Sequence, residues 1–396
     1  HVDHGLHSDS AKWANFCQQT CQKLDIPLVI CRPQANPEAS GGPEARARDA
    51  RYKAFRAELA DDEVLVMAHH RQDQAETLLL QLMRGAGPAG LAAMSVLRTH
   101  AGLTILRPLL EVSAAGIQNY ALEAELKWID DPTNQQLDFD RNYLRHEILP
   151  RLEQRWPAAT QVISRSARLC AQAADLVAGA AAADLRHMFV ANKLDLSQLM
   201  NQSPDRQASI LRAALVQLML PIPSEQQLLH GLQTLMQARP DAQPQIQWPG
   251  AVIRRYRGVA WFYSEEVSRQ FDTSDSSEMS WDFSQSLDLG PTAGVLVAAE
   301  GRGSGIAIKH LSKSDAKVKF RQGGERIRVA AGGRQRSLKN LLQENDVIPW
   351  MRSHIPLLYS GEQLLAIGDL WVNVDFLAAV DEPGINIKWH SHTIFR

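Results

Sequence analysis

Short apolar runs alternate with amphipathic stretches over about the first 130 residues of the chain. The runs at residues 26–30 and 64–68 have the length and β-branched content of strands that are buried on both faces. After the cap candidates Ser8 and Ser10, apolar residues recur at helical spacing, and Pro43 opens a second predicted helix. This alternation predicts a parallel sheet with crossover helices, continued by strands at residues 103–106 and 127–129.

The pattern changes after residue 130. A polar, turn-rich stretch leads into a segment rich in Ala, Leu and Gln at helical spacing, which ends in a predicted hairpin between residues 245 and 265. A linker rich in Ser, Asp and Glu follows, and after it come short strands punctuated by Gly. The predicted organisation is a sheet domain, a helical middle domain, a linker and a small mixed α and β domain, at residues 1–141, 142–265, 266–282 and 283–396.

Composition narrows the class of protein. The 396 residues include 42 basic and 44 acidic side chains, a net charge of -2, and 45% are hydrophobic. No apolar run approaches the ~20 residues of a bilayer span, and no export signal opens the chain, so a soluble protein without a membrane partner is expected. The four cysteines are too few to indicate a disulfide framework or a zinc site, and a cytoplasmic location is predicted.

Charge is unevenly distributed along the chain. Residues 301–340 contain two acidic residues, Asp315 and Glu325. The same segment holds eleven basic residues: Arg302, Lys309, Lys313, Lys317, Lys319, Arg321, Arg326, Arg328, Arg334, Arg336 and Lys339. Such an excess suits the phosphate backbone of a nucleic acid. A solvated basic face is the alternative, and the residues alone leave both open.

The stretch most indicative of chemistry follows the second apolar run. His69 and His70 precede a predicted helix on which Asp73 and Glu76 share one face. The opposite, apolar face would pack on the sheet, so both carboxylates are expected to point outward at the carboxyl end of a strand, where open α/β sheets bind ligands. Such a cluster suits binding an ammonium group, holding magnesium or moving a proton. An exposed helix start whose acids complement the helix dipole is the alternative.

Other basic residues occupy less specific positions. Arg48 and Arg51 share a predicted helical face with Tyr52, which suits phosphate but also a salt-bridged surface helix. Arg141 and Arg145 lie at the junction of the first two domains, where a triphosphate, RNA or a structural ion pair are all consistent with the sequence.

Two phosphate-binding motifs are absent from the sequence. There is no G-x-x-x-x-G-K-[ST]. Residues 40–42 read Ser-Gly-Gly but continue with Pro43 and Glu44, so they lack the acidic and hydroxyl residues of an SGGxDS pyrophosphate loop. We interpret residues 40–42 as a loop that leads into a helix.

Seven strings, in order, resemble the tRNA(Ile)-lysidine synthases of the PP-loop family of ATP pyrophosphatases. They are HVDHGL, EARARDARY, HHRQDQAET, LMRGAGPAGL, RPLL, WIDDPTN and RNYLRHEILP. The resemblance continues in FRQGGERI, RSLKNLL and IPWMRSHIPLLYSGEQLLAIG. Nearly the whole chain is covered, and each string alone is weak, but their order is specific.

The resemblance implies an α/β fold. Its first domain would be a parallel-sheet PP-loop domain of the adenine nucleotide alpha hydrolase-like type, followed by the helical domain and a small C-terminal α+β domain. The implied enzyme is a ligase that forms a carbon–nitrogen bond. It uses ATP and magnesium to adenylate the wobble cytidine of the minor tRNA(Ile) with a CAU anticodon, and free lysine then displaces AMP. Decoding changes from AUG to AUA.

Site residues are carried over by position in the matching strings. Asp73 and Glu76 correspond to acids near the substrate lysine and the reacting centre, and Arg141 to an arginine that faces phosphates. The residues matched to ATP binding are His4, His69, His70, Arg48 and Arg51. The residues matched to tRNA binding are Arg84, Arg145, Lys319, Arg321, Arg334, Arg336 and Lys339. No metal ligands are assigned, and a homodimer is left open.

The sequence also departs from the family pattern. Gln72 stands where a second aspartate is common, and His7 stands where an arginine is usual. The SGGxDS loop that should precede His1 by one strand and one helix is absent, which predicts a truncated amino terminus. The alternatives are therefore an inactive tRNA-binding fragment or another PP-loop tRNA-modifying enzyme. A thiolase is disfavoured because its chemistry often recruits paired cysteines. Cys17 and Cys21 instead lie on a predicted helix, where they are expected to pack as core residues.

Overall fold

A computed structural model describes residues 1–3, 5, 8–33, 43–100, 102–239, 242–272, 278–311 and 315–390. The chain divides into two compact units, His1–Val177 and Ala178–Arg396. The boundary falls within one long helix, Ala159–Met188.

The first unit is built mainly from helices around a small sheet. Its helices are α1 (Ser10–Lys23), α2 (Pro43–Glu58), α3 (Arg71–Met83), α4 (Pro88–Leu91), α5 (Ala114–Glu123), α6 (Asp140–Tyr143), α7 (Leu149–Arg155) and the start of α8 (Ala159–Met188). Its strands are β1 (Val64–Val66), β2 (Leu97–His100) and β3 (Leu103–Leu106). A 3₁₀ turn covers Pro132–Gln135, and a π-helical turn, Leu144–Ile148, joins α6 to α7.

The sheet of this unit has the strand order β1-β3-β2. β1 and β3 are parallel, with Val64 opposite Thr104, whereas β2 and β3 are antiparallel. The parallel arrangement expected from the sequence is thus present between β1 and β3. Val64 and Val66 are 44% and 61% exposed, so the expectation that this strand is buried on both faces was wrong. The reason is its place at the edge of the described sheet, with neither residue covered by a second layer.

The helix predictions in this unit are confirmed, and two strand predictions are not. A helix begins at Pro43 as expected, and another covers Ser10–Lys23, but its N-cap is Asp9 and neither of the expected caps, Ser8 and Ser10. Residues 26–30 and 127–129 form no strand in the structure. Next to the first of these segments, a single parallel bridge joins Val2 to Cys31. A strand requires a partner along its length, and these two segments pair too little to form a ladder.

The described residues of the second unit form three antiparallel sheets of four or five strands and a two-stranded ribbon, with helices around them. Its helices are the end of α8, α9 (Leu196–Met200), α10 (Pro204–Gln217), α11 (Glu225–Gln237), α12 (Glu265–Asp272), α13 (Gly290–Ala293) and α14 (Leu338–Glu344). The strands of its first sheet are β4 (Phe189–Val190), β5 (Lys193–Asp195), β6 (Gln245–Trp248), β7 (Ala251–Tyr256) and β8 (Val259–Ser264). This sheet has the order β4-β5-β8-β7-β6. The hairpin predicted between residues 245 and 265 is formed, and its turn residues Arg257 and Gly258 both have positive φ.

The remaining strands lie carboxyl-terminal to α12. They are β9 (Met279–Ser280), β10 (Leu287–Asp288), β11 (Val295–Arg302), β12 (Ile306–Ala307), β13 (Ala316–Phe320), β14 (Arg326–Ile327), β15 (Arg336–Ser337), β16 (Pro356–Ser360), β17 (Gln363–Ile367), β18 (Trp371–Val372) and β19 (Pro383–His390). Their sheets have the orders β10-β11-β19-β12, β18-β17-β16-β13-β9 and β14-β15. A mixed α and β carboxyl-terminal region was expected from the sequence, and the structure has that character.

One aromatic core connects the middle sheet of this unit with the carboxyl-terminal strands. Trp261 and Tyr263 of β8 belong to the same buried cluster as Trp350. The Trp350 indole donates a hydrogen bond to the Tyr263 hydroxyl at 3.2 Å, and burial raises the pKa of Tyr263 to about 12. The segment expected to be a linker, residues 266–282, begins inside α12, and Phe271 of that helix is buried in the same core. We call this cluster the aromatic seam.

Membrane insertion through a helix finds no support in the part of the chain that the structure describes. None of its helices combines the length and the apolar character that a bilayer crossing requires.

Candidate functional site

The site begins where two parallel strands end at the same edge of the sheet. His69 follows β1 and Arg107 follows β3, and because these strands are parallel and adjacent, the two side chains meet. Arg107 Nε donates to His69 Nδ1 at 3.2 Å, and its Nη1 donates to the Ser95 carbonyl at 3.0 Å. Arg107 is 4% exposed. Sequence reasoning assigned it no role, although an arginine directly after a predicted strand was a usable signal.

The environment of His69 favours the neutral imidazole. Burial lowers the pKa of His69 to about 4, and the positive charge of Arg107 acts in the same direction, whereas Asp73 opposes the shift. Since Nδ1 accepts the hydrogen bond from Arg107, the proton of the neutral ring lies on Nε2.

The start of α3 positions Asp73. His70 is the residue before the helix, and its backbone N–H donates to Asp73 Oδ2 at 2.9 Å. An acidic residue in the first turn satisfies a free N–H and complements the helix dipole. Thr77 Oγ1 donates to the Asp73 carbonyl at 2.7 Å, one turn further along. Asp73 therefore has a fixed orientation before any ligand binds.

Two arginines converge on the carboxylates of α3. Arg145 Nε donates to Glu76 Oε1 at 2.7 Å and its Nη2 donates to Oε2 at 3.0 Å, a bidentate pair. The same Nη2 donates to Asp73 Oδ1 at 3.2 Å. Arg141 Nε lies 3.6 Å from Glu76 Oε2, and Arg141 Nη2 donates to Thr77 Oγ1 at 3.2 Å. We refer to Asp73, Glu76, Arg141 and Arg145 as the arginine–carboxylate cluster.

The cluster differs from the expected outward-facing pair of acids. The Asp73 side chain is 14% exposed, but the Glu76 side chain is 0% exposed beneath Arg145. The expectation that both carboxylates face a ligand crevice was therefore wrong for Glu76. The physical reason is the bidentate guanidinium, which satisfies both oxygens and covers them. Arg145, which the resemblance matched to tRNA, donates from its Nε and Nη2 to these acids, and its tRNA assignment stays a prediction.

The charge state of Glu76 follows from this geometry. Burial raises the pKa of the Glu76 carboxyl, and the hydrogen bonds and charge of Arg145 oppose that increase. A guanidinium remains protonated at physiological pH. Its positive charge and its two donated hydrogen bonds favour the ionised form of the Glu76 carboxylate.

A π-helical turn places both arginines on the α3 side. Arg141 lies in α6, and Arg145 lies in the turn Leu144–Ile148. Residues four apart share a helical face, and insertions of this kind frequently occur at functional sites. Within the same segment, the Asn142 amide donates to the carbonyls of Thr133 and Gln136 at 2.9 Å each, which anchors this turn to the preceding loop.

Two of the other residues matched to ATP lie on α2. Arg48 is exposed and its guanidinium lies 5.4 Å from the centroid of the Tyr52 ring. Arg51 is also exposed, on the same helix. Arg84, matched to tRNA, caps the end of α3 and is exposed. His4 lies outside the described residues.

The basic residues of the carboxyl-terminal region fall into two groups. Three of the residues matched to tRNA form ion pairs: Lys319 with Glu278 at 2.5 Å, Arg321 with Glu325 at 3.7 Å, and Arg336 with Glu344. Arg334 and Lys339 are exposed, and neither has an ion pair within the part of the chain that the structure covers. These two are the cations most available to a phosphate.

Magnesium, which the resemblance implied, has no ready site among the described residues. No group of three His, Cys, Asp or Glu side chains is arranged there to hold a metal ion. Each oxygen of Asp73 and Glu76 already accepts from a protein donor. The described residues therefore offer no site that would hold a magnesium ion by protein side chains alone.

A cleft of about 350 Å³ adjoins the cluster. His70, Ile117, Gln118, Leu126, Lys127 and Trp128 contribute to its lining. We refer to it as the α5 cleft, because α5 forms one of its walls. Sequence reasoning did not predict it, since its residues come from separate segments and carry no charge pattern.

Comparison with known proteins gives close matches along the whole chain. It is 37% identical over 389 residues to the tRNA(Ile)-lysidine synthase of Coxiella burnetii, spanning 98% of this chain and 85% of that protein. The chain belongs to the tRNA(Ile)-lysidine synthase family. The enzyme of Xanthomonas axonopodis pv. citri is 38% identical over 397 residues, 99% of this chain and 87% of that protein. The Nitrosomonas europaea enzyme is 35% identical over 397 residues, 100% of this chain and 85% of that protein.

Three family models match separate parts of the chain. The PP-loop domain matches residues 1–152, the TilS substrate binding domain matches residues 194–261, and the TilS substrate C-terminal domain matches residues 316–389. The resemblance drawn from the sequence strings is thus confirmed at the level of the family. The arginine–carboxylate cluster lies entirely within the PP-loop match.

The buried position of Glu76 predicts a large cost for removing its partner. Arg145→Ala should destabilise the first unit by about 3–5 kcal/mol, because it leaves an uncompensated buried carboxylate. Adding Glu76→Gln to that variant should recover part of the loss. Urea unfolding followed by circular dichroism measures both. Arg151→Ala is the control, since its pair with Glu147 is on the surface and should contribute less than about 1 kcal/mol. Equal effects of the two arginine substitutions would contradict the assignment.

The neutral His69 predicts a pH dependence of stability. Its folded pKa of about 4 lies below the unfolded value, which is near 6.5, so the unfolded chain binds more protons between these two values. Stability should therefore fall as the pH decreases from 6.5 toward 4. His69→Gln should weaken this dependence, and His230→Gln, at an exposed helix position, should preserve it. Urea midpoints at several pH values and an NMR titration of the His69 ring test it; a ring pKa near 6.5 is the contrary result.

Proposed function

We propose that this chain acts as a tRNA(Ile)-lysidine synthase. It would join free lysine to the wobble cytidine of the minor tRNA(Ile) with a CAU anticodon, at the expense of ATP. The observation that carries the proposal is the similarity to enzymes of that name over 98% of the chain. A cytoplasmic location and a homodimer stay predictions.

The proposed reaction has two balanced steps. In the first, the oxygen at carbon two of the cytosine forms a bond to the α-phosphorus of ATP, and pyrophosphate leaves. In the second, the ε-amine of lysine bonds to carbon two, and AMP leaves with that oxygen. The amine must lose protons to the surroundings before or during this attack, because an ammonium group is not nucleophilic.

The residues of the cluster suit different parts of this reaction. Asp73 is held by the His70 N–H and Arg145 and remains partly exposed, so it is the carboxylate that would contact the lysine ammonium and orient the amine. Glu76 is a positioning residue: it holds Arg145 and lies next to Arg141. Arg141, 28% exposed, would face the phosphates. The cationic groups would stabilise the negative charge that develops as pyrophosphate leaves.

Magnesium remains an expectation of the resemblance. The described residues form no group of three possible ligands, so no step is assigned to the ion here. The PP-loop match supports the use of ATP itself.

A direct assay tests the proposed function and the role of Asp73. The chain, ATP, labelled lysine and minor tRNA(Ile) should give incorporation of label into RNA. Asp73→Ala should abolish incorporation while leaving the Kd for tRNA within a few fold, because the side chain would contact lysine rather than RNA. Glu147→Ala, a surface acid on the adjoining turn, is the control and should retain activity. A large loss of tRNA affinity in Asp73→Ala would refute the role, and absence of label with the unsubstituted chain would refute the activity.

The basic carboxyl-terminal residues predict a salt-dependent contribution to tRNA binding. Replacing Arg334, Arg336 and Lys339 together by Ala should weaken binding and reduce the slope of log K against log salt by about 2, since each lost phosphate contact removes about 0.7–0.9. Filter binding at several salt concentrations between about 50 and 200 mM measures the slope. Lys309→Ala, whose ammonium is paired with Glu382 at 2.9 Å, is the matched control. An unchanged slope would show that these three basic residues are solvated surface.

A further inference from the structure

The α5 cleft carries a large aromatic side chain that no other feature of the site explains. Trp128 lines the cleft and is 48% exposed. Its indole N–H has no hydrogen-bond partner among the described residues. Leu126, beside it in the lining, is 52% exposed. An exposed aromatic next to an apolar concavity is typical of a binding site rather than of a folded core.

The charges at the cleft do not complement free lysine. No carboxylate contributes to its lining, whereas Lys127 does. Free lysine carries two ammonium groups, which find no carboxylate in this lining, because Asp73, the acid proposed to contact them, is not part of it. A neutral, planar ligand attached to a negatively charged backbone complements this lining better: its ring would face Trp128, and a phosphate would lie near Lys127.

Size and position agree with that chemistry. The volume of about 350 Å³ is at the lower end for ligand pockets and suits one base rather than a whole nucleoside triphosphate. His70 lines the cleft, and its Nδ1 lies 3.5 Å from Asp73 Oδ2, so a bound base would be adjacent to the arginine–carboxylate cluster. Enzymes that modify a base in RNA take it out of its stack and hold it against aromatic side chains.

We propose that the α5 cleft receives an unpaired base of the RNA substrate, stacked on Trp128, with Lys127 at the adjoining phosphate. The proposal rests on the proposed function in one respect only, namely that the base is the wobble cytosine. Stacking on Trp128 fixes the face that the base presents to Asp73, which makes Trp128 a specificity-determining residue.

A double-mutant cycle in binding tests the stacking. The RNA is an anticodon stem-loop of the minor tRNA(Ile), either intact or with an abasic site at the wobble position. The proteins are the unsubstituted chain and Trp128→Ala. Each single change should weaken binding by about tenfold, the size expected for one stacked base, and the two together should cost little more than either alone. Losses that multiply in the combination would overturn the proposal.

Further variants separate stacking from a loss of folding. Trp128→Phe should restore most of the affinity, because a smaller aromatic ring still stacks. Tyr120→Ala is the control, because Tyr120 is an aromatic residue of α5 that is 67% exposed and does not line the cleft. This substitution should leave binding unchanged. An abasic site elsewhere in the loop should weaken the unsubstituted chain and Trp128→Ala equally. A failure of Trp128→Phe to restore binding, or a loss in Tyr120→Ala equal to that in Trp128→Ala, counts against a stacked base.

The other nucleobase in the reaction is the adenine of ATP. A second binding measurement distinguishes a cleft that holds adenine from one that holds a base of RNA. If the cleft holds a base of RNA, Trp128→Ala should raise the Kd for the stem-loop and leave the Kd for ATP within twofold. The reverse result would place adenine there and overturn the proposal. Because all these measurements are of binding, they remain informative if lysine incorporation fails, so a failed proposed function and a failed cleft assignment give different results.

Discussion

The burial of one carboxylate governs the arrangement of the first unit. Glu76 is fully shielded from solvent, and a buried carboxylate without a partner would cost several kcal/mol. Arg145 supplies that partner, and it comes from a turn 69 residues further along the chain. The pairing therefore ties α3, which follows the sheet, to the π-helical turn before α7. Asp73, Arg141 and Thr77 take their positions around this pair, and the chemistry of the site depends on it.

The sequence predicted the position of this site better than its internal contacts. A strand followed by His69, His70 and an amphipathic helix located the edge of the sheet at which the candidate site lies, because that pattern is local. The burial of Glu76 had no local signal, since helical periodicity places it beside the exposed Asp73. Only a distant guanidinium reverses its environment. Arg107 was missed for a related reason: its contact with His69 arises from the pairing of β1 and β3, and no spacing along the chain reveals which strands are neighbours.

The predicted strand at residues 26–30 and the predicted basic surface both depend on partners that lie elsewhere in the sequence. Residues 26–30 have strand-forming side chains, but a strand exists only where another chain segment meets its hydrogen bonds. The count of basic residues between 301 and 340 likewise ignored acids that lie elsewhere in the sequence. Glu278 and Glu344 neutralise Lys319 and Arg336 in the structure, so the exposed positive charge is smaller and more localised than the count suggests.

The aromatic seam limits hinge motion inside the second unit. Opening a hinge between the middle sheet and the carboxyl-terminal strands would expose Trp261, Tyr263 and Trp350 to water. Each such ring buries about 150–250 Å², which at about 25 cal/mol per Å² corresponds to about 4–6 kcal/mol per ring. Thermal motion does not supply that energy. The second unit is therefore rigid across the aromatic seam, and its middle sheet and carboxyl-terminal strands keep a fixed spacing.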